Sequence, residues 1–146
     1  MISHRKISRV KEPDPIQVTG DITKYVTSYE KACEVVGMYP LELFHFLYLP
    51  RRHRESAYAE HKLITICEAL NQGWEPDYTN ASEYKYFPRF NWVAGSGFVF
   101  HATYYVITDS YFGARLCYKS AALSNFAGKI FIKEYNEWLI LKKQKK

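Results

Sequence analysis

Apolar and polar residues change their spacing twice along this chain, and each change predicts a change of element. Thr27-Ser28-Tyr29-Glu30 has the spacing of a capping box, in which a hydroxyl and a carboxylate satisfy each other's backbone donors. The helix it opens should run to about Val36, with Gly37 as a left-handed C-cap. Pro40 suits the first turn of a short helix through Phe46. That segment is apolar almost all round (Leu41, Leu43, Phe44, Phe46, Leu47, Leu49), so it is either buried or an interface. Pro50 breaks it. From Arg51 a longer helix is expected, carrying Ala59, Leu63, Ile66, Cys67 and Leu70 as one stripe and closed by Gly73.

Beyond Gly73 the helical spacing disappears. Trp74, Pro76, Asp77, Asn80 and Ser82 make a polar loop, and two aromatic-rich runs come after it, Tyr84–Val93 and Phe98–Thr108. Ala94-Gly95-Ser96-Gly97 between them is a good hairpin connection. Asp109–Gly113 reads as a second turn into a short third strand, Ala114–Lys119. Ser120 then caps a final long helix with the stripe Leu123, Phe126, Ala127, Ile130, Phe131, Tyr135, Trp138 and Leu139. The predicted fold class is α+β: N-terminal helices, an antiparallel three-stranded aromatic-rich meander, and a long C-terminal helix packed on the sheet.

Length and charge refine this picture. The chain has 146 residues, enough for one compact domain, and we expect it over 23–141, between an irregular arm (1–22) and a tail (142–146). The formal charge of +5 is uneven: residues 1–12 carry +3 (Arg5, Lys6, Arg9 and Lys11 against Glu12), and the tail lysines 142, 143, 145 and 146 carry +4. The body between them is therefore mildly acidic, at −2. Basic tails attract phosphate without reading sequence, and they also simply keep chain ends solvated. No apolar run is long enough to span a bilayer, and the basic start lacks the apolar stretch of a secretion signal, so a cytoplasmic or virion-associated location is expected. Cys33, Cys67 and Cys117 are odd in number and lie in or beside apolar runs, which suits reduced core residues.

Few residues carry the spacing of a known chemistry. Histidines 4, 45, 53, 61 and 101 include no pair one helical turn apart, and no Cys-x-x-Cys is present, so neither a metal nor another cofactor is expected. His53 and His61, if on one helix, stand roughly 12 Å apart along its axis. No serine lies in a Gly-x-Ser-x-Gly elbow, so no catalytic residue is assigned. Glu68, Glu75 and Asp77 form an acidic loop cluster, suited to acid/base work or, more simply, to capping and solvation. If Ala114–Lys119 is a strand, Arg115 and Lys119 share one face beside the helix start at Ser120, an arrangement favouring an anion. The plainer reading is that both cations pair with Glu68, Glu75 or Asp77.

The aromatic content, 17% of the chain, is the unusual feature. Tyr84, Tyr86 and Phe90 alternate with Phe87, and Tyr104 adjoins Tyr105, so both sheet faces carry rings. One face covers the helices; the other is strand chemistry, a protein surface, or a platform stacking bases beside Arg89, Arg115 and Lys119.

Two runs also carry a resemblance: Glu68-Ala69-Leu70-Asn71-Gln72-Gly73-Trp74-Glu75-Pro76-Asp77 with Tyr84-Lys85-Tyr86-Phe87-Pro88, and Gly113-Ala114-Arg115-Leu116-Cys117-Tyr118-Lys119-Ser120 with Ala127-Gly128. Over about residues 27–140 the chain resembles a group of small uncharacterised proteins of gut Bacteroidetes, their phages and mobile elements. The resemblance implies a phage or mobile-element role and names no activity. The expectation is a non-enzymatic interaction or structural protein that meets a protein partner or its own copy through Leu41, Phe44, Phe46, Tyr86 and Tyr104. The alternative is a nucleic-acid-binding accessory protein using the tails and the aromatic face. A third class is an enzyme acting on a phosphorylated small molecule.

Overall fold

The computed structural model describes residues 11–141. Arg5, Lys6 and Arg9 of the arm and the four tail lysines lie outside the described residues. Lys11–Gly20 has no regular structure, but its later part packs on the body, with the Ile16 amide donating to the Glu34 carbonyl at 3.2 Å. Asp21 then caps a single turn, α1 (Ile22–Tyr25), accepting from the Thr23 amide and hydroxyl, and these bonds hold its carboxyl below the usual range.

α2 (Tyr29–Val36) begins on Ser28, whose hydroxyl accepts the Lys31 amide, and ends on Gly37 in the left-handed region at φ 76°. The Gly37 position has a second requirement: a Cβ there would lie 2.8 Å from the Pro13 carbonyl and the Pro15 ring. Pro40 opens no helix. The chain makes instead one 3-10 turn, Leu43–Phe46, with Glu42 at its N-cap. α3 (Arg51–Asn71) is the axis of the molecule, packed by α2 on one side and by the C-terminal helices on another. Every residue of its predicted stripe is buried.

The three-stranded meander is corrected to a two-stranded hairpin, β1 (Lys85–Val93) and β2 (Gly97–Val106), antiparallel with a bulge between Arg89 and Phe90. Only Tyr118 of the third predicted strand reaches the sheet, exchanging backbone bonds with Tyr86 at 2.7 and 3.0 Å. The reason is burial. Leu116, Cys117 and Tyr118 are consecutively buried, because Ala114–Leu116 is a 3-10 turn and the chain then threads between α3 and β1. Cys67 Sγ and Asn71 Nδ2 both donate to the Cys117 carbonyl, at 3.1 and 2.8 Å, and Asn71 Oδ1 accepts the Lys119 amide at 3.0 Å. A segment fastened on both sides cannot alternate inside and outside.

The long C-terminal helix is likewise two helices, α4 (Ala121–Ile130) and α5 (Ile132–Leu139), separated at Phe131 (φ −101°, ψ 27°). α4 lies on the hairpin so closely that a Cβ at Gly128 would stand 2.6 Å from Phe100 and 2.8 Å from Pro88. α5 turns to pack on α3 and to hold the hairpin tip, with Asn136 bonding the Phe98 amide and carbonyl. The break leaves Ile130 exposed, although the stripe predicted it inward.

All three cysteines are free and buried. Burial pushes the Cys67 and Cys117 thiols up, which suits core residues rather than nucleophiles. Among the described residues no helix is long and apolar enough to cross a membrane.

Candidate functional site

Three surfaces gather the residues singled out from the sequence, and they differ in what each presents.

The first is the elbow at 39–49 between α2 and α3. Its backbone is tied down from both sides. The Leu41 amide donates to the Tyr29 hydroxyl at 2.9 Å, and the Tyr58 hydroxyl donates to the Leu41 carbonyl at 2.8 Å. The Glu42 amide reaches His45 Nδ1 at 2.9 Å, and Arg54 donates to the carbonyls of Leu47 and Leu49. Phe46 is the anchor, buried against the rings of Tyr58 and His61 at 5.3 and 5.9 Å. Five large groups face outward: Tyr39, Leu43, Leu47, Phe44 at 59% exposure and Tyr48 at 80%, while Leu49 is half-buried. Leu41 is half-buried. The sequence alternatives, core or interface, therefore divide residue by residue, with Phe46 as core and Phe44 as surface.

The charge beside the elbow is unusual for a helix start. Arg51, Arg52 and Arg54 occupy the first turn of α3, where no acidic residue stands and the peptide dipoles already place partial positive charge. Arg54 is occupied by the elbow carbonyls, while Arg51 and Arg52 are exposed. Such an arrangement costs helix stability and raises the local positive potential.

The second surface is a cleft of about 820 Å³ where Ile16–Thr19, the α3 C-terminus and the loop after it meet Ala114 and Arg115. It brings together Glu68, Glu75 and Arg115, as the sequence suggested, over a floor of Val35, Val36 and Ile64. Asp77 is not among them: its carboxylate accepts the Thr79 amide and hydroxyl, and those bonds lower its pKa. The strand on which the predicted anion patch rested does not form. Among the described residues neither Arg115 nor Lys119 is ion-paired, so the expected pairing with Glu68, Glu75 or Asp77 is absent. They share no strand face, and the Ser120 hydroxyl is spent on the Leu123 amide as the α4 cap. Two carboxylates beside one guanidinium also make the cleft a poor host for a phosphate.

The third surface is the aromatic hairpin. Tyr86 is half-buried and packs partly against the core, while Tyr104 and Arg89 are exposed side by side. The Arg89 guanidinium lies 4.9 Å over the Tyr104 ring and donates to its hydroxyl. Tyr84 stacks on Tyr105 at 4.4 Å.

One residue escaped sequence reading altogether. Lys85 is fully buried, and its ammonium donates to the carbonyls of Ile107, Glu83 and Asn80 at 2.7, 2.9 and 3.3 Å, with Glu83 Oε1 at 3.5 Å. Glu83 also takes the Asp77 amide and the Trp74 indole N–H. This knot fixes the 74–84 loop against the end of β2. No local pattern distinguishes such a lysine from a solvated one. Among the described residues no group of three or more metal-ligating side chains comes together.

Comparison with protein families, with curated proteins and with solved structures finds no match for this chain.

Proposed function

We propose that this chain is a small non-enzymatic interaction protein of phage or mobile-element type, and that the 39–49 elbow is its partner-binding surface. The observation that carries the reading is the elbow's combination of a backbone bonded at Leu41, Glu42, His45, Leu47 and Leu49 with outward-facing Phe44, Leu47 and Tyr48. Ordering the loop before binding removes much of the entropy that a flexible loop loses on association. Exposed Tyr and Phe on such a support are the residues that dominate interfaces.

The partner is a protein surface with an apolar centre and a carboxylate rim. Arg51 and Arg52, on a helix start that is already positive, would complement that rim. The same charges disfavour a second copy of this chain, since a two-fold pairing through the elbow would set arginines against arginines.

The test places a photo-crosslinking residue at Tyr48, identifies the captured protein, and measures its purified form against variants. Phe44→Ser is expected to weaken binding at least about tenfold, and Arg51→Glu with Arg52→Glu to slow association at low salt. A captured partner that binds both variants as it binds the parent chain contradicts the reading.

A further inference from the structure

The hairpin carries a second concavity, independent of the elbow, of about 640 Å³ between the strands and the 107–113 loop. Its floor is the buried ring of Phe87. Three rings stand around that floor: Phe112 at 5.3 Å and 81°, Tyr104 at 6.4 Å and 85°, and Tyr111 at 5.4 Å and 40°. The loop that delivers Tyr111 and Phe112 is held by the Ser110 hydroxyl, which accepts the Gly113 amide at 2.7 Å. Tyr104 and Tyr111 nevertheless stay 42% and 74% exposed, far more than packing the floor requires.

The chemistry of the walls selects the ligand. Upright rings around an aromatic floor leave ring faces open to a flat group. An aromatic box of this kind suits either a quaternary ammonium or a planar π-system. Here Arg89 already occupies one face of Tyr104, and among the described residues no carboxylate lines the groove. The charge that does line it is positive, which repels an ammonium and attracts a phosphate. A flat ring joined to a phosphate is a nucleotide.

The groove is also not closed around its contents, as a pocket for a free mononucleotide would be. Its rim rings Tyr104 and Tyr111 stay open to solvent, whereas the Tyr84–Tyr105 stack lies on the other face of the hairpin. An open platform of exposed rings beside a cation is how single strands are held without sequence readout.

We propose that this groove binds one nucleotide of a single-stranded nucleic acid, with the base against Tyr104 and Tyr111 and the phosphate on Arg89. The experiment titrates the full chain with an oligothymidylate of about ten residues and with thymidine 5′-monophosphate, each at low and at physiological salt. The oligonucleotide should bind at least about tenfold tighter than the monophosphate. Tyr111→Ala, at a position too exposed to endanger the fold, and Tyr104→Ala should each weaken it by about 5- to 150-fold. Arg89→Gln should reduce the slope of log affinity against log salt by about 0.7. Absence of oligonucleotide binding at low salt overturns the proposal. So does binding that both tyrosine variants retain, which would belong to the basic chain ends. Equal affinity for the monophosphate and the oligonucleotide overturns the single-strand assignment.

Discussion

Two loops of this molecule are equally well tied and opposite in what they do with their side chains. The knot at 74–85 turns its charge inward: the Lys85 ammonium is caged by three backbone carbonyls and Glu83, and the loop closes over it. The elbow at 39–49 turns most of its large apolar groups outward and fully buries only Phe46. Burying a charge is expensive unless every donor is satisfied, so the knot is a device whose rigidity serves packing. Exposing large apolar groups gains nothing for folding, and the elbow's rigidity is what the proposed role in partner binding calls for. Hydrogen-bond density alone does not separate a structural loop from a functional one; the direction of its unusual side chains does.

The contrast is broken most severely at Lys85. Lys85→Ala removes the ammonium from the carbonyls of Ile107, Glu83 and Asn80, of which Asn80 keeps the Glu83 amide, and leaves Glu83 without its cation; it should lower the unfolding free energy by about 3–5 kcal/mol in a denaturant titration. Tyr29→Phe attacks the elbow's support instead. It removes the acceptor for the Leu41 amide and should cost about 1–3 kcal/mol, with hydrogen exchange speeding up more at Leu41 than within α2.

A pH titration sharpens the same point. His61 Nε2 bonds the Tyr29 hydroxyl at 2.8 Å, and burial lowers the His61 pKa below its ordinary 6.5. The unfolded chain therefore takes up the proton first as pH falls. The stability contributed by neutral His61 is complete above 6.5 and is lost as pH drops through the lowered native value. Thermal unfolding should show this acid limb, and His61→Gln should flatten it.

Smaller effects distinguish presentation from packing. Arg52→Glu puts a carboxylate where the α3 dipole favours one, and should raise stability by about 0.3–1 kcal/mol while weakening partner binding. Phe44→Ser should change stability by less than about 0.5 kcal/mol, since its ring meets mainly the neighbouring His45 ring at 4.0 Å and solvent. A large destabilisation by Phe44→Ser would place the elbow with the knot, as packing.

Local chemistry made much of the fold legible. Gly37 and Ser120 cap where their residue types predict, while the α2 cap falls on Ser28, one residue after the Thr27 of the expected capping box; the α3 stripe is buried throughout, and the Gly95-Ser96-Gly97 turn joins the hairpin. The failures depended on contacts distant in sequence. Leu116–Tyr118 lost its strand alternation to Cys67 and Asn71, about fifty residues away along the chain. The last helix broke because α4 answers to the sheet and α5 to α3. In the candidate sites, Arg89 and Tyr104 were named and do meet, as do Glu68, Glu75 and Arg115. Tyr111 falls in what the sequence reads as a turn, and its place beside Phe87 is set by the loop's return across the hairpin.

The central claim is that the elbow is preformed in the free protein, and amide hydrogen exchange of the full chain tests it most directly. The amides of Leu41, His45, Leu47 and Leu49 all have acceptors, the Tyr29 hydroxyl and the carbonyls of Glu42, Phe44 and Phe46. They should exchange far more slowly than unstructured backbone, with protection approaching that of α2. Exchange at the unprotected rate across 41–49 would mean that the elbow is ordered only by its partner, and would contradict the account.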